Sequence, residues 1–207
     1  MVERRRMLGW LLAGSAGAAV TPRLLSAQPS PADEPWLADL SGRLHRSFLD
    51  IRSFMLDGAA LRKPATLRST LMASYGAAAS EIGIAFGAGS NGLAHVLGPD
   101  FWEEYRIGEK LAPAHPDQAA ALQAHRSVGS RMAAGVADLR AIGVHVLACR
   151  NTMARWSREL AAKTGETAEA VQDKMLKGLS PGVEPVPAMI AAAVLAQARN
   201  VSYVAIG

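Results

Sequence analysis

Three short apolar runs constrain this chain most: "EIGIAFGAG" at residues 81–89, "VHVLA" at 144–148 and "VSYVAI" at 201–206. Each is strand-length, and each lies between stretches with helical spacing, which is the pattern of buried strands in an α/β layer fold. Two more strands are expected, at His45–Ile51 ("HRSFLDI") and within "SPGVEPV" at 180–186. Helices are expected over 65–79, where Leu67, Leu71 and Met72 share helical spacing, and over 99–111, where Phe101 and Tyr105 stand four apart. Pro113 and Pro116 then mark a loop. Further helices are expected over 132–143 and 150–165, stopped by Gly143 and Gly165, which readily take the left-handed conformation at a helix end. Thr167 can cap a short helix before Gly178, and Pro187 suits the first position of a last helix over 187–200. Strands alternating with helices predict one α/β domain with a mostly parallel sheet of about five strands flanked by helices.

Ahead of that pattern lies a segment of different character, "MVERRRMLGWLLAGSAGAAVTPRLLSA". A basic start, a weakly apolar stretch from Met7 to Val20 and small residues after it are the parts of an export signal. Arg4-Arg5-Arg6-Met7-Leu8 is similar to the twin-arginine pattern, which points to the folded-protein export route and a periplasmic mature protein. A general secretory signal and a retained anchor are the alternatives, although the apolar run is interrupted by Gly9, Gly14, Ser15 and Gly17 and falls short of the roughly 20 residues a bilayer requires. Cleavage can follow Ala19 or Ala27. The expected organisation is a signal at 1–27, a Pro-rich linker at 28–44 and the α/β domain at 45–207.

Removing the signal changes the electrostatic reading. The whole chain carries +4, but residues 1–27 hold four arginines against one glutamate, leaving about +1 on the remainder. A nearly neutral domain whose residues are only 5% aromatic has neither the charge nor the stacking surface expected of a nucleic-acid binder, and no stable membrane span is expected after cleavage.

Gly87-Ala88-Gly89-Ser90-Asn91-Gly92 matches the G-x-G-x-x-G spacing that lets a pyrophosphate approach a helix N-terminus. The full dinucleotide signal also needs a second strand ending in an acidic residue about 20 positions later. Glu109 has that spacing but lies in an expected helix, so the sequence favours a ligand-facing loop at a strand end, with Gly87, Gly89 and Asn91 as candidate binding residues. Neither a nucleotide nor another cofactor is expected. No metal site is expected either: His145 and Cys149 share a strand face but lie roughly 13 Å apart, and His95, His115 and His125 have no short paired spacing.

Cys149 is the single cysteine, so an intramolecular disulfide cannot explain it. Alternation places it with His145 and Leu147 on one strand face, at the carboxyl end where the chain enters a helix that Asn151 or Thr152 can cap. Helix N–H groups and Arg150 near the sulfur would favour a reactive thiolate; equally, a free cysteine often serves as a small buried hydrophobe. Trp102 and Tyr105 read as helix-to-sheet packing, with a ligand platform as the alternative. Glu109 reads as a solvated or capping carboxylate, Arg155 as a surface charge, and Trp156 as a residue for a subunit interface.

"GVHVLACRNTMARW" followed by "LSPGVEPVPAMIAAAVLAQARNVSYVAI" resembles the carboxyl half of DsrE/DsrF-like proteins, and "HRSFLDI" with Trp102-x-x-Tyr105-x-Ile107-Gly108-Glu109 resembles the amino half of their exported branch. The resemblance spans roughly residues 45–207. It implies a compact α/β sandwich assembled as a trimer or hexamer, and a persulfide at Cys149 that passes sulfane sulfur between a donor and an acceptor protein. The segment from Ser157 to Leu179 is longer than the connection in the simplest members and can cover the thiol. Three readings follow: a periplasmic sulfur carrier or sulfurtransferase accessory using Cys149, with Asn151 and Thr152 beside it; a non-catalytic oligomeric module that binds a ligand or partner; and a nucleotide enzyme.

Overall fold

The computed structural model describes residues 34–207, so the expected signal and residues 28–33 of the expected linker lie outside the described residues. The elements run α1 (Pro35–Ser41), β1 (His45–Ile51), α2 (Ala59–Tyr75), β2 (Ile82–Ala88), α3 (Pro99–Glu104), α4 (Ile107–Leu111), α5 (Ala119–Leu122), α6 (His125–Ala141), β3 (His145–Cys149), α7 (Arg150–Thr164), α8 (Ala168–Lys177), β4 (Val183–Val186), α9 (Met189–Ala198) and β5 (Ser202–Ile206). The five strands form one sheet in the order β4-β3-β2-β1-β5, and every pair is parallel. The expected α/β fold class and strand count describe this architecture.

Sequence and structure part in several local places, each with a physical reason. Residues 35–41 fall inside the stretch expected to be linker but form a helix: Pro35 sits in its first turn, and Trp36, Leu37 and Leu40 bury one side against the sheet. The single helix expected over 99–111 is broken into α3 and α4 at Arg106, whose φ of 47° lies in the left-handed region. The last helix starts at Met189 rather than Pro187. Thr167 does cap α8, its Oγ1 accepting from the Ala170 N–H at 3.2 Å.

Crossover handedness explains which face each helix covers. From β1 to β4 the chain steps steadily toward one edge, and the intervening helices α2, α3, α6, α7 and α8 join one core on one face, with Phe86, Ile84, Val146 and Ala148 from the strands. The step from β4 to β5 runs back across the sheet. A parallel crossover of the same right hand must then pass on the other side. α9 does so, packing with α1 over Phe48, Ala85, Leu147 and Cys149.

Candidate functional site

That reversal has a chemical consequence at the carboxyl edge. The chain leaves β3 toward one face, into α7, and leaves its neighbour β4 toward the other, into α9. Adjacent strand ends whose connections diverge open a crevice, the place where parallel α/β sheets bind ligands. Cys149 is the last residue of β3 and pairs with Val186, the last of β4. A cleft of about 610 Å³ opens here, walled by Trp36 of α1, Arg150 and Asn151 of α7, the Pro185–Ala188 connection, and Ala192 and Leu195 of α9.

Cys149 adjoins the cleft residues Arg150 and Val186 without itself lining the cleft, and 5% of the residue is exposed. Cys149 is itself the N-cap residue of α7, and its Sγ accepts a hydrogen bond from the Met189 N–H of α9 at 3.4 Å. The sulfur thus bonds the first N–H of α9, while α7 begins at the next residue without a side-chain cap bond to it. Asn151 and Thr152 were expected to cap α7, but the helix begins at Arg150 and both lie in its first turn. The Asn151 N–H instead donates to the Pro187 carbonyl at 3.3 Å, tying α7 to the start of α9 across the cleft. Thr152 Oγ1 accepts from the Ser90 N–H at 3.3 Å, tying α7 to the glycine loop.

The glycines at the end of β2 make close packing possible. A Cβ on Gly87 would fall 2.5 Å from Met189 Sδ and 2.9 Å from the Phe48 ring, and one on Gly92 would fall 2.2 Å from the Ile51 carbonyl oxygen. Their missing side chains make room for Met189 and for β1. A Cβ on Gly89 would lie 3.6 Å from Met189 Cβ, so Met189 fills the notch between the glycine loop and the thiol. After Gly89 the chain forms a 3₁₀ turn over Ser90–Val96, with Asn91 half-buried in it, rather than the α-helix that phosphate binding uses.

Met189 is thus the site residue that sequence reasoning missed. Its backbone holds the sulfur while its side chain closes the notch. The segment from Ser157 to Leu179, long enough to cover the thiol, lies elsewhere: α7 and α8 bury Trp156, Leu160, Val171 and Met175 on the opposite face. Trp156, expected at a subunit interface, is 1% exposed within that core. Trp102 and Tyr105 also pack inside, the indole donating to the Ala94 carbonyl at 3.0 Å and the phenol to Glu166 Oε1 at 2.9 Å. Glu109 pairs with Arg106 at 2.5 Å, and Arg155 lies 3.8 Å from Glu159 at the surface.

On the same sheet face, at the end of β1, a second polar group stands. Asp50 Oδ2 accepts from the Tyr203 hydroxyl at 2.6 Å and from Arg52 Nε at 2.9 Å, and Arg52 also donates to the Tyr203 oxygen at 2.7 Å. This neutralised cluster fastens β5 to β1. Burial is the main reason the Tyr203 hydroxyl keeps its proton above the ordinary range, with Asp50 adding to it. Among the described residues no group of three histidine, cysteine or acidic side chains could hold a metal ion, and no helix is long and apolar enough to cross a membrane.

No family model matches the chain, and no curated protein matches it. Among solved structures it is similar to the protein of unknown function MTH1491 from Methanobacterium thermoautotrophicum, with 17% identity and a TM-score of 0.44 over 78% of this chain and 99% of that one.

Proposed function

We propose that this is a DsrE-like sulfur-handling protein in which Cys149 carries sulfane sulfur as a persulfide. One observation carries the reading: the only cysteine stands where the connections of β3 and β4 diverge, with the Met189 N–H on its sulfur. The Cys149 thiolate would attack the terminal sulfane sulfur of a polysulfide, forming one S–S bond as the donor's S–S bond breaks. The shortened polysulfide anion leaves with the electron pair, so no separate oxidant is needed. An acceptor thiolate then takes the outer sulfur and restores Cys149. Histidine takes no part: His145 is at the opposite end of the strand, roughly 13 Å away.

Loading requires the first turn of α9 to move, because its Met189 N–H bonds the sulfur and Cys149 is buried. Intact-mass measurement after polysulfide treatment tests the reading, with Cys149→Ser as control. The expected result is a reducible gain of one or more sulfur masses on the native wild-type chain alone. Native protein that takes up no sulfur would refute it.

Export through the twin-arginine route to the periplasm belongs to the same proposal, supported by Arg4-Arg5-Arg6 and the short apolar run after them. Sequencing the amino terminus of the exported protein should find a start after Ala19 or Ala27; an uncleaved chain would contradict it.

A second reading, a homo-oligomeric binding module, draws on different residues. Ile190 and Val194, one turn apart on α9, are 79% and 59% exposed, and Val204 on the edge strand β5 is 44% exposed. Outward apolar side chains of this kind suit a subunit contact. Light scattering should give the mass of a trimer or hexamer; a monomer at all concentrations would exclude the assembly.

A further inference from the structure

At the amino end of the sheet, opposite the thiol, the His145 ring stands between two carboxylates. Its Nδ1 is 3.2 Å from Glu184 Oε1 and its Nε2 is 3.1 Å from Asp39 Oδ2. A carboxylate oxygen only accepts, so both contacts are hydrogen bonds only when both ring nitrogens carry protons. In the neutral ring one lone pair would face a negative oxygen. We propose that His145 is a proton-dependent latch, holding α1 against the sheet as an imidazolium and loosening it when the ring is neutral.

The neighbouring groups make His145 the one that switches. From α1 it faces Asp39, whose Oδ1 accepts from Arg43 Nη2 at 2.5 Å, and Arg43 is itself anchored to the Ser80 carbonyl at 2.8 Å. From β4 it faces Glu184, which Arg140 of α6 approaches to 3.6 Å. Both arginines stay charged over the whole range in which histidine titrates. Burial works against the Asp39 charge, and the bonds from Arg43 and His145 overcome it, holding that carboxyl below its usual range. The bond to Glu184 raises His145 most, burial opposes it, and Asp39 adds to the rise. A histidine raised on folding contributes fully below its ordinary value and loses that contribution as pH climbs through the raised one.

The position of α1 gives the latch its reach. The helix has seven residues, and its apolar hold on the sheet comes from Trp36, Leu37 and Leu40. Asp39 lies near the latched end, whereas Trp36 walls the cleft beside Arg150 and Asn151. Loosening α1 would therefore withdraw a wall of that cleft. The inference stands whether or not Cys149 carries sulfur, since its readouts follow a ring and a helix rather than a thiol.

Two measurements on the full-length mature chain test it from about pH 5 to about pH 9. Imidazole NMR, with the His145 signal assigned by its loss in His145→Gln, should place the midpoint above the ordinary value of about 6.5, and Asp39→Asn should lower it. Hydrogen exchange, corrected for its intrinsic pH dependence, should show residues 35–43 losing protection severalfold through that midpoint while α6 does not change. In His145→Gln the same segment should exchange freely at every pH. A midpoint at or below the ordinary value, or wild-type protection of residues 35–43 that ignores pH, would overturn the latch.

Discussion

The two faces of the sheet are built differently. On one, α2, α3, α6, α7 and α8 bury Trp102, Trp156, Phe54, Phe86 and Phe101. His95 is fully enclosed there, its Nδ1 bonded to the Gly92 carbonyl at 3.1 Å and its Nε2 to the Met55 N–H at 3.2 Å. On the other, two short helices cover Phe48, Leu147 and Cys149, α1 with Trp36, Leu37 and Leu40 and α9 with alanines and the flexible side chain of Met189. The first face fixes the fold. The second, thinner cover holds the thiol, the cleft and His145, and it is expected to move without unfolding the rest.

The contrast predicts unequal responses to damage. Trp102→Ala should lose the most, about 3–5 kcal/mol by denaturant titration, because it empties a full indole volume and orphans the Ala94 carbonyl. A loss below about 1 kcal/mol would mean that the thick face is not the foundation.

Acid should strike the same face next. Burial pushes His95 down to about 4, so the unfolded chain, with its histidine near 6.5, takes up the proton first. The His95 contribution to stability should fall as pH drops from about 6.5 to about 4, by about 3 kcal/mol in all, and level off below. His95→Gln should flatten that slope. An unchanged slope in the variant would assign the acid sensitivity elsewhere. His145, on the thin face, has the opposite sign: its contribution is lost toward alkaline pH.

The smallest effect belongs to the outside of the thin face. Replacing Ile190 and Val194 together by serine should shift monomer stability by no more than about 0.5 kcal/mol, since both already face solvent. If the assembly proposed above forms, the same pair should lower its mass in light scattering. A large stability loss would show that these side chains support the monomer.

Much of this frame was legible in the sequence, and the misses are instructive. Short apolar runs bounded by glycine and proline located the strands, because a strand buried on both faces needs little else. Their order was not legible, since parallel pairing joins residues far apart in the chain. The divergence of β3 and β4, which sets the cleft, therefore had to be seen. α1 was hidden by the polar Pro-rich residues before it, although Trp36, Leu37 and Leu40 already carried a helical stripe. Trp156 had the same kind of signal, in line with Met153 and Leu160. The break at Arg106 has no glycine or proline to announce it, and nothing local marks Met189 as the residue that fills the glycine notch.

Because the chain has one cysteine, the rate at which that thiol is alkylated reports directly on the thin face. In native wild type the reaction should run to completion more slowly than in denatured chain, yet faster than global unfolding allows, and Met189→Ala should accelerate it. A thiol that reacts only as fast as the whole protein unfolds, in both the wild type and Met189→Ala, would contradict the account.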